Sequence, residues 1–390
     1  MNDNTIEIKD DDSGILLHIG FLHDHLAKIP DKRCARGKRY SLAILLLVII
    51  LAKLSGEDTP TGISEWAKLR KKELQKFFNY SREIKPGHNT IRRTMSENLE
   101  DDDLQQHTRQ YLHQTYGGQQ SILIVIDGKT LRGTIPKGET QGVHLLAAYL
   151  PEEGTVLLQV EVGEKDNEIV AAPKLLSQLD LKGRVVSGDA MFAQRDISIQ
   201  VLAQGGDYIW MVKGNQPTLQ EDVERFFTPP RQAPGWHPPQ MPQETAQSVD
   251  KDHGRVEIRR ITVIPDEENY IQWPGIRQVF QLERQVLNLK KGTKTIELFY
   301  GITSMMSQSG CATQLLDWTR LHWGIENGLH RRRDVTLRED ATRMSNSHQA
   351  RVLATIHNFI IAIAQCMGFD NLAHARRVFQ ARLDAVLFSG

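Results

Sequence analysis

The chain changes its hydrophobic rhythm twice. From about residue 14 to residue 104 the apolar positions recur with helical spacing. Residues 40–54 are apolar on nearly every side, and 63–78 sets Ile63, Trp66, Leu69, Leu74 and Phe77 among Lys and Arg. Pro86-Gly87-His88-Asn89 is a turn signal, and 90–95 starts another basic helix after it, so a helix-turn-helix is conceivable there. From Ser121 short β-type runs take over, at 122–126, 144–150 and 155–162. A helix over 168–179, a strand over 184–187, a helix over 193–204 and a strand over 207–212 follow.

Strand, strand, strand, helix, strand, helix, strand is the order of an RNase H-like α/β fold, in which three antiparallel strands are extended by parallel ones through helical crossovers. The second change comes near residue 214. Residues 228–242 are rich in proline, while 255–264 and 276–285 alternate like strands, so this stretch reads as a β-rich insertion. Helical signals return over 311–333 and 347–367. The expected organisation is an acidic tail (1–13), an all-helical N-terminal accessory or DNA-binding domain (14–104) and a mixed-sheet core with flanking helices (105–213 and 299–390). The insertion (214–298) splits that core before the last catalytic helix.

Composition narrows this picture. With 40% hydrophobic and 25% charged residues the chain is neither disordered nor fibrous. The apolar run 42–52 is too short to span a bilayer, which needs roughly 20 apolar residues, and reads as a buried helix. Cys34, Cys311 and Cys366 are too few and too scattered for a disulfide framework or a cysteine zinc site, which fits a reducing cytoplasm. Net charge is zero, so a polyanionic partner has to be argued locally. Residues 28–98 carry sixteen Lys and Arg against seven acids, an excess that can follow a phosphate backbone but also suits a solvated helix face.

Two acids end strands. Asp127 closes Ile-Val-Ile-Asp and Asp189 closes Val-Val-Ser-Gly-Asp, and acids leaving one edge of a sheet can converge. Glu326, on the helix expected over 315–333, is the third acid expected near that edge. Three carboxylates suit Mg²⁺ or Mn²⁺, and two such ions can activate a water or 3′-hydroxyl and stabilise the leaving oxygen. Taken singly, in a chain with 48 acidic residues, Asp127 and Asp189 read better as turn or N-cap acids; their position on the first and fourth strands favours the catalytic reading. Rival motifs fail on particular residues. A P-loop ending at Gly128-Lys129-Thr130 needs glycine where Leu123 stands, and a phosphatase of the HAD type needs a second Asp at Lys129.

Several motifs in order resemble bacterial insertion-sequence DDE transposases of the H-repeat-associated group. They are Ile126-Asp127-Gly128-Lys129-Thr130-Leu131-Arg132-Gly133, Glu164-Lys165-Asp166-Asn167-Glu168-Ile169, Gly188-Asp189-Ala190, Val212-Lys213-Gly214-Asn215-Gln216, His253-Gly254-Arg255 and Arg320-Leu321-His322-Trp323-Gly324-Ile325-Glu326-Asn327. The resemblance covers nearly the whole chain. It implies a catalytic, metal-holding triad of Asp127, Asp189 and Glu326, double-stranded DNA as substrate, and a homodimer or larger assembly on transposon ends. Relatives that form hairpins carry Tyr, Arg, Glu and Lys where this chain has Thr319, His322, Glu326 and Arg333, so only the acid is shared.

Phosphate contacts are the expected work of basic and polar residues beside the triad: Lys129, Arg132, Lys213, Asn215 and Gln216 at the sheet edge, and His322, His330 and Arg333 on the helix of Glu326. In the insertion His253, Arg255 and Arg259 alternate on one side of a strand near Trp236 and Trp273, which suit base stacking or a buried core. The expected activity is metal-dependent strand cleavage at transposon ends followed by strand transfer. A domesticated nuclease and a catalytically idle DNA-binding protein are the alternatives.

Overall fold

The computed structural model describes residues 5–10, 13–34, 38–117, 121–163, 165–228, 242–252, 254–306 and 311–388. A hairpin of β1 (Thr5–Asp10) and β2 (Ser13–His18) opens the chain where an acidic tail was expected. The alternation Thr-Ile-Glu-Ile-Lys explains it, because period two sets one face of a strand whatever the charge of the run that follows.

Six helices come next: α1 (Ile19–Leu26), α2 (Leu42–Leu54), α3 (Pro60–Leu69), α4 (Lys71–Phe77), α5 (His88–Glu97) and α6 (Asp101–Tyr116). All thirteen residues of α2 are buried, as its lack of a polar face requires, and the Ser41 hydroxyl caps it by accepting from Ile44 N–H at 3.3 Å. The single helix expected over 63–78 breaks at Arg70 into α3 and α4. Helix α6 was not foreseen. Its Asp101, Asp102 and Asp103 sit in the first turn, where the helix dipole favours negative charge, and Leu104, Thr108, Tyr111 and Leu112 are buried at helical spacing.

The remaining elements are β3 (Leu123–Thr130), β4 (His144–Leu150), β5 (Thr155–Val162), α7 (Glu168–Leu176), β6 (Val185–Gly188), α8 (Arg195–Ala203), β7 (Asp207–Val212) and α9 (Pro217–Phe227). Then come β8 (Glu244–Asp252), β9 (Arg255–Pro265), β10 (Gln278–Asn288), β11 (Thr293–Thr303), α10 (Cys311–Ile325), α11 (Ser347–Cys366) and α12 (Leu372–Phe388). Nine strands form one mixed sheet in the order β5-β4-β3-β6-β7-β11-β10-β9-β8. β3, β4 and β5 pair antiparallel, and β6 and β7 add in parallel through the α7 and α8 connections, which is the strand order expected of an RNase H-like core.

Strands β8 to β11 are continuous with that core. β11 returns antiparallel beside β7, pairing Tyr300 with Val212 and Thr303 with Ile209, so the second half of the sheet is a meander built onto the first. Alternation along β3 divides its side chains between two cores. Leu123, Val125 and Leu131 pack with α2, α10 and α11, while Ile124 and Ile126 pack with α7 and α8 on the opposite face. No helix among the described residues is long and apolar enough to cross a membrane.

Candidate active site

Parallel pairing puts Leu123 opposite Val185 and Ile126 opposite Gly188. The residues that follow, Asp127 and Asp189, therefore keep the same register on adjacent strands, roughly 4.8 Å apart. Asp189 follows the end of β6, whereas β3 runs on past Asp127 to Thr130, paired with β4, which corrects the expectation that Asp127 ends its strand. By alternation both acids lie on the face that carries α10. Gly188 suits this edge because a side chain there would run into Phe192 and Ile126.

Helix α10 and the π-helical turn that continues it reach both acids. His330 Nε2 donates to Asp127 Oδ2 at 2.9 Å, and Gly128 N–H donates to Asp127 Oδ1 at 2.9 Å, so both carboxylate oxygens are engaged. His322 lies between Ser187, whose Oγ is 3.3 Å from Nδ1, and Asp189, whose Oδ1 is 3.7 Å from Nε2. The His322 imidazole beside it holds the Asp189 carboxyl below its ordinary range, with Lys213 adding in the same direction against the effect of burial.

Glu326 sits between these two histidines in sequence, at the point where the helix widens. Its turn is π-helical over Glu326–His330 and again over Arg332–Thr336, with Arg331 N–H reaching back to the Glu326 carbonyl. Such widened turns are frequent at functional sites. The Glu326 side chain is exposed. Among the described residues no three His, Cys, Asp or Glu side chains already lie close enough together to hold a metal ion.

The basic residues divide by burial. Lys129 is 9% exposed and donates to both oxygens of Asp334, at 2.6 and 2.7 Å, so it clamps the end of β3 to the segment after Glu326. Arg333 is 1% exposed and paired with Glu339 at 2.8 Å. It cannot meet a phosphate, which corrects the expectation placed on it. Arg259 is spent on Asp250 at 2.9 Å and on Glu257 at 2.8 Å. Asn215 donates to the Ala190 carbonyl at 2.7 Å and Gln216 to that of Ala193 at 3.0 Å, fastening the turn that follows Asp189. Arg132, Lys213 and Arg255 remain exposed. Trp273 is buried, its Nε1 donating to Ser198 at 3.1 Å, while Glu164, Trp236 and His253 lie outside the described residues.

Sequence reasoning missed a buried polar network behind the site. Glu339 accepts from Arg333 and also from His357 Nδ1 at 2.8 Å, and His357 Nε2 is 3.2 Å from Lys53 Nζ. Arg376 donates to the Lys53 carbonyl at 3.0 Å, to Thr336 O at 2.7 Å and to Asp58 at 2.7 Å. Burial works against the charge on Glu339, but Arg333 and His357 overcome it and hold the carboxyl at about 2. Burial, reinforced by Lys53, lowers His357 to about 4, and burial lowers Lys53 to about 8. This network ties α2, α11 and α12 to the turn that follows Glu326. Periodicity gave no signal for it, because buried charges look like surface charges in a sequence.

Comparison with known proteins gives the family. A family model described as "DDE_Tnp_1-associated" matches residues 23–112, and one described as "Transposase DDE domain" matches residues 118–363. The chain is 30% identical over 351 residues to the "Putative protein YbfL" of Escherichia coli K12, covering 88% of this chain and 89% of that one. It is 29% identical, with the same coverage, to the "H repeat-associated putative transposase YhhI" of that strain. A solved piggyBac transposase synaptic complex with hairpin DNA aligns over 95% of this chain and 77% of its own, at 10% identity and a TM-score of 0.45. The DDE model alone spans well over half of the chain and encloses Asp127, Asp189 and Glu326, so this protein belongs to the transposase DDE domain family.

Proposed function

We propose that this transposase cuts double-stranded DNA at transposon ends by hydrolysis and joins the freed 3′-hydroxyl to target DNA by transesterification, with Asp127, Asp189 and Glu326 as its catalytic carboxylates. The observation that carries the reading is the shared register of Asp127 and Asp189 on adjacent parallel strands, beneath the one helix that bears Glu326.

The donor set fits a hard divalent cation. Both aspartates offer oxygen, Asp189 is held anionic with a 62% exposed side chain, and no cysteine competes at this edge. Asp127 and Asp189 would hold Mg²⁺ or Mn²⁺, with Glu326 completing a two-ion site; when bound, the ions supply activation of the attacking oxygen and stabilisation of the leaving one. The chain's own groups do the rest. His330 and Gly128 N–H fix the orientation of Asp127, and His322, anchored on Ser187, does so for Asp189. Lys213 and Arg132, which are exposed, would meet phosphate oxygens. Work on two ends calls for a homodimer or larger assembly on DNA.

Nicking of supercoiled plasmid with Mg²⁺ or Mn²⁺ tests the reading. Wild type should nick and Asp189→Ala should lose at least a thousandfold. Metal-dependent nicking that survives the substitution would overturn it. Joining of a labelled 3′-hydroxyl end to plasmid separates a transposase from a nuclease that only cuts.

A further inference from the structure

The N-terminal helices carry a basic cleft that no part of the catalytic argument uses. It has a volume of about 500 Å³ and is lined by Arg33, Lys38, Arg39, Tyr40, Arg82 and Lys85, with Gly87 and Thr90 completing the wall. No acid lines it. Two nearby carboxylates are already committed: Asp31 to Arg33 at 2.8 Å and Lys38 at 3.5 Å, and Glu83 to Lys85 at 2.7 Å and Lys71 at 3.2 Å. Arg39 and Arg82 are exposed and have no carboxylate within ion-pair distance among the described residues.

The cleft is braced from beneath. Tyr40 is buried, its hydroxyl donates to the Glu83 carbonyl at 3.1 Å and accepts from Lys85 N–H at 3.2 Å, and Tyr80 O–H donates to the Arg39 carbonyl at 3.3 Å. These bonds hold the 38–41 and 82–85 segments side by side, so the cations on them face one space. The Arg33 guanidinium beside Asp31 keeps that acid at about 2, so its charge is constant at working pH and already neutralised.

Thr90 belongs to both the cleft and α5. That helix buries Ile91, Thr94 and Met95 and exposes His88, Asn89, Arg92 and Arg93. Positions 88, 89, 92 and 93 form one stripe on a helix, and it continues the basic wall. Asn and Arg are the side chains that make paired hydrogen bonds to adenine and guanine edges in the major groove. A stripe of such residues beside a cluster with an excess of cations divides the labour of duplex binding into reading and backbone anchoring.

We infer that α5 lies in the major groove of duplex DNA, with Asn89, Arg92 and Arg93 at base edges and the cleft of Lys38, Arg39, Arg82 and Lys85 on the flanking phosphates. The inference rests on the transposase reading and gives it a place where the ends are recognised apart from where they are cut. Because the cleft and the carboxylates belong to different elements, the two can fail separately.

Fluorescence anisotropy of the full chain with a labelled 30-base-pair duplex of mixed sequence, between 50 and 300 mM salt, tests the anchoring. Arg39→Gln with Arg82→Gln should weaken binding at least tenfold and make the dependence of log affinity on log salt shallower by about two, since each lost phosphate contact removes about 0.9. Lys290→Gln with Lys291→Gln, on an exposed turn of the sheet, should change neither quantity. An Arg39/Arg82 variant with wild-type affinity and slope would overturn the inference. If that variant binds normally while plasmid nicking remains dependent on Asp189, the cleft is wrong and the catalytic reading stands. If the variant loses binding but wild type never nicks, the catalytic reading fails and the cleft stands. Selection from random duplexes tests the reading helix: Asn89→Ala with Arg92→Gln should flatten the base preference while keeping non-specific affinity, and an unchanged preference would remove α5 from the groove.

Discussion

His330 Nε2 and Asp127 Oδ2 are 2.9 Å apart, and the other ring nitrogen of His330 is buried without a partner among the described residues. The imidazole is therefore committed to one carboxylate, not shared with DNA. A group that orients a metal-holding acid in this way typically contributes 10–100-fold to metal affinity or activity. His330→Ala should accordingly raise the Mn²⁺ concentration for half-maximal nicking by roughly ten- to a hundredfold. Binding to the mixed-sequence duplex should stay at the wild-type level. Metal titrations of nicking, with anisotropy in parallel, check both halves.

Glu326 has acidic neighbours at Asp334, Glu339 and Asp340, and the structure separates their roles. Asp334 is clamped by Lys129, Glu339 is buried on Arg333, and Asp340 accepts from Arg132 N–H at 3.2 Å. Glu326→Gln should abolish nicking with an unchanged melting temperature. Asp340→Asn should keep activity within tenfold of wild type. Plasmid nicking and thermal melting on both variants decide it, and the reverse pattern would move the third carboxylate.

The buried network makes stability depend on pH. Unfolded His357 titrates near 6.5 but folded His357 only near 4, so between those values the unfolded chain binds more protons and stability falls as pH falls. Glu339, held at about 2 against an ordinary 4.5, extends the loss to lower pH by the same sign. Thermal midpoints should decline steadily from pH 7 to pH 4. Glu339→Gln should cost on the order of 3–5 kcal/mol at pH 7, because Arg333 is left buried without its partner. Urea denaturation measures this directly.

Gly133 lies against the Thr342 carbonyl, and its own carbonyl accepts from Met344 N–H at 3.1 Å. A Cβ at 133 would collide with backbone, which cannot rotate aside. Gly133→Ala should cost about 1–3 kcal/mol through forced backbone displacement. Gly214→Ala, with open space around it, should change the melting temperature little.

How much of this was legible beforehand differs from element to element. Asp127 and Asp189 could be read because each acid follows a visible apolar run, and the strand order then put them on neighbouring strands, although β3 runs on past Asp127 to Thr130. The extent of the sheet was not legible. Pairing of β11 with β7 joins residues some ninety positions apart, and the alternation over 255–264 reveals a strand but not its neighbour. Helix α6 could have been found, since its buried positions keep helical spacing; the run of aspartates at its start drew attention to charge instead of to a helix beginning. Arg333 and Lys129 show the deeper limit. A basic residue near a catalytic acid has the same appearance in sequence whether it faces phosphate or a buried carboxylate.

The Lys53 to His357 contact spans 304 positions and the Arg376 to Lys53 contact spans 323. The turn behind Glu326 is thus gripped by groups from near both ends of the chain, and on a ribosome the earlier group waits for the later ones to emerge. A nascent chain halted after Glu326 would carry Asp127, Asp189 and Glu326 without the frame behind the Glu326 turn. His357 and Arg376 must both be made before that frame can close around Lys53.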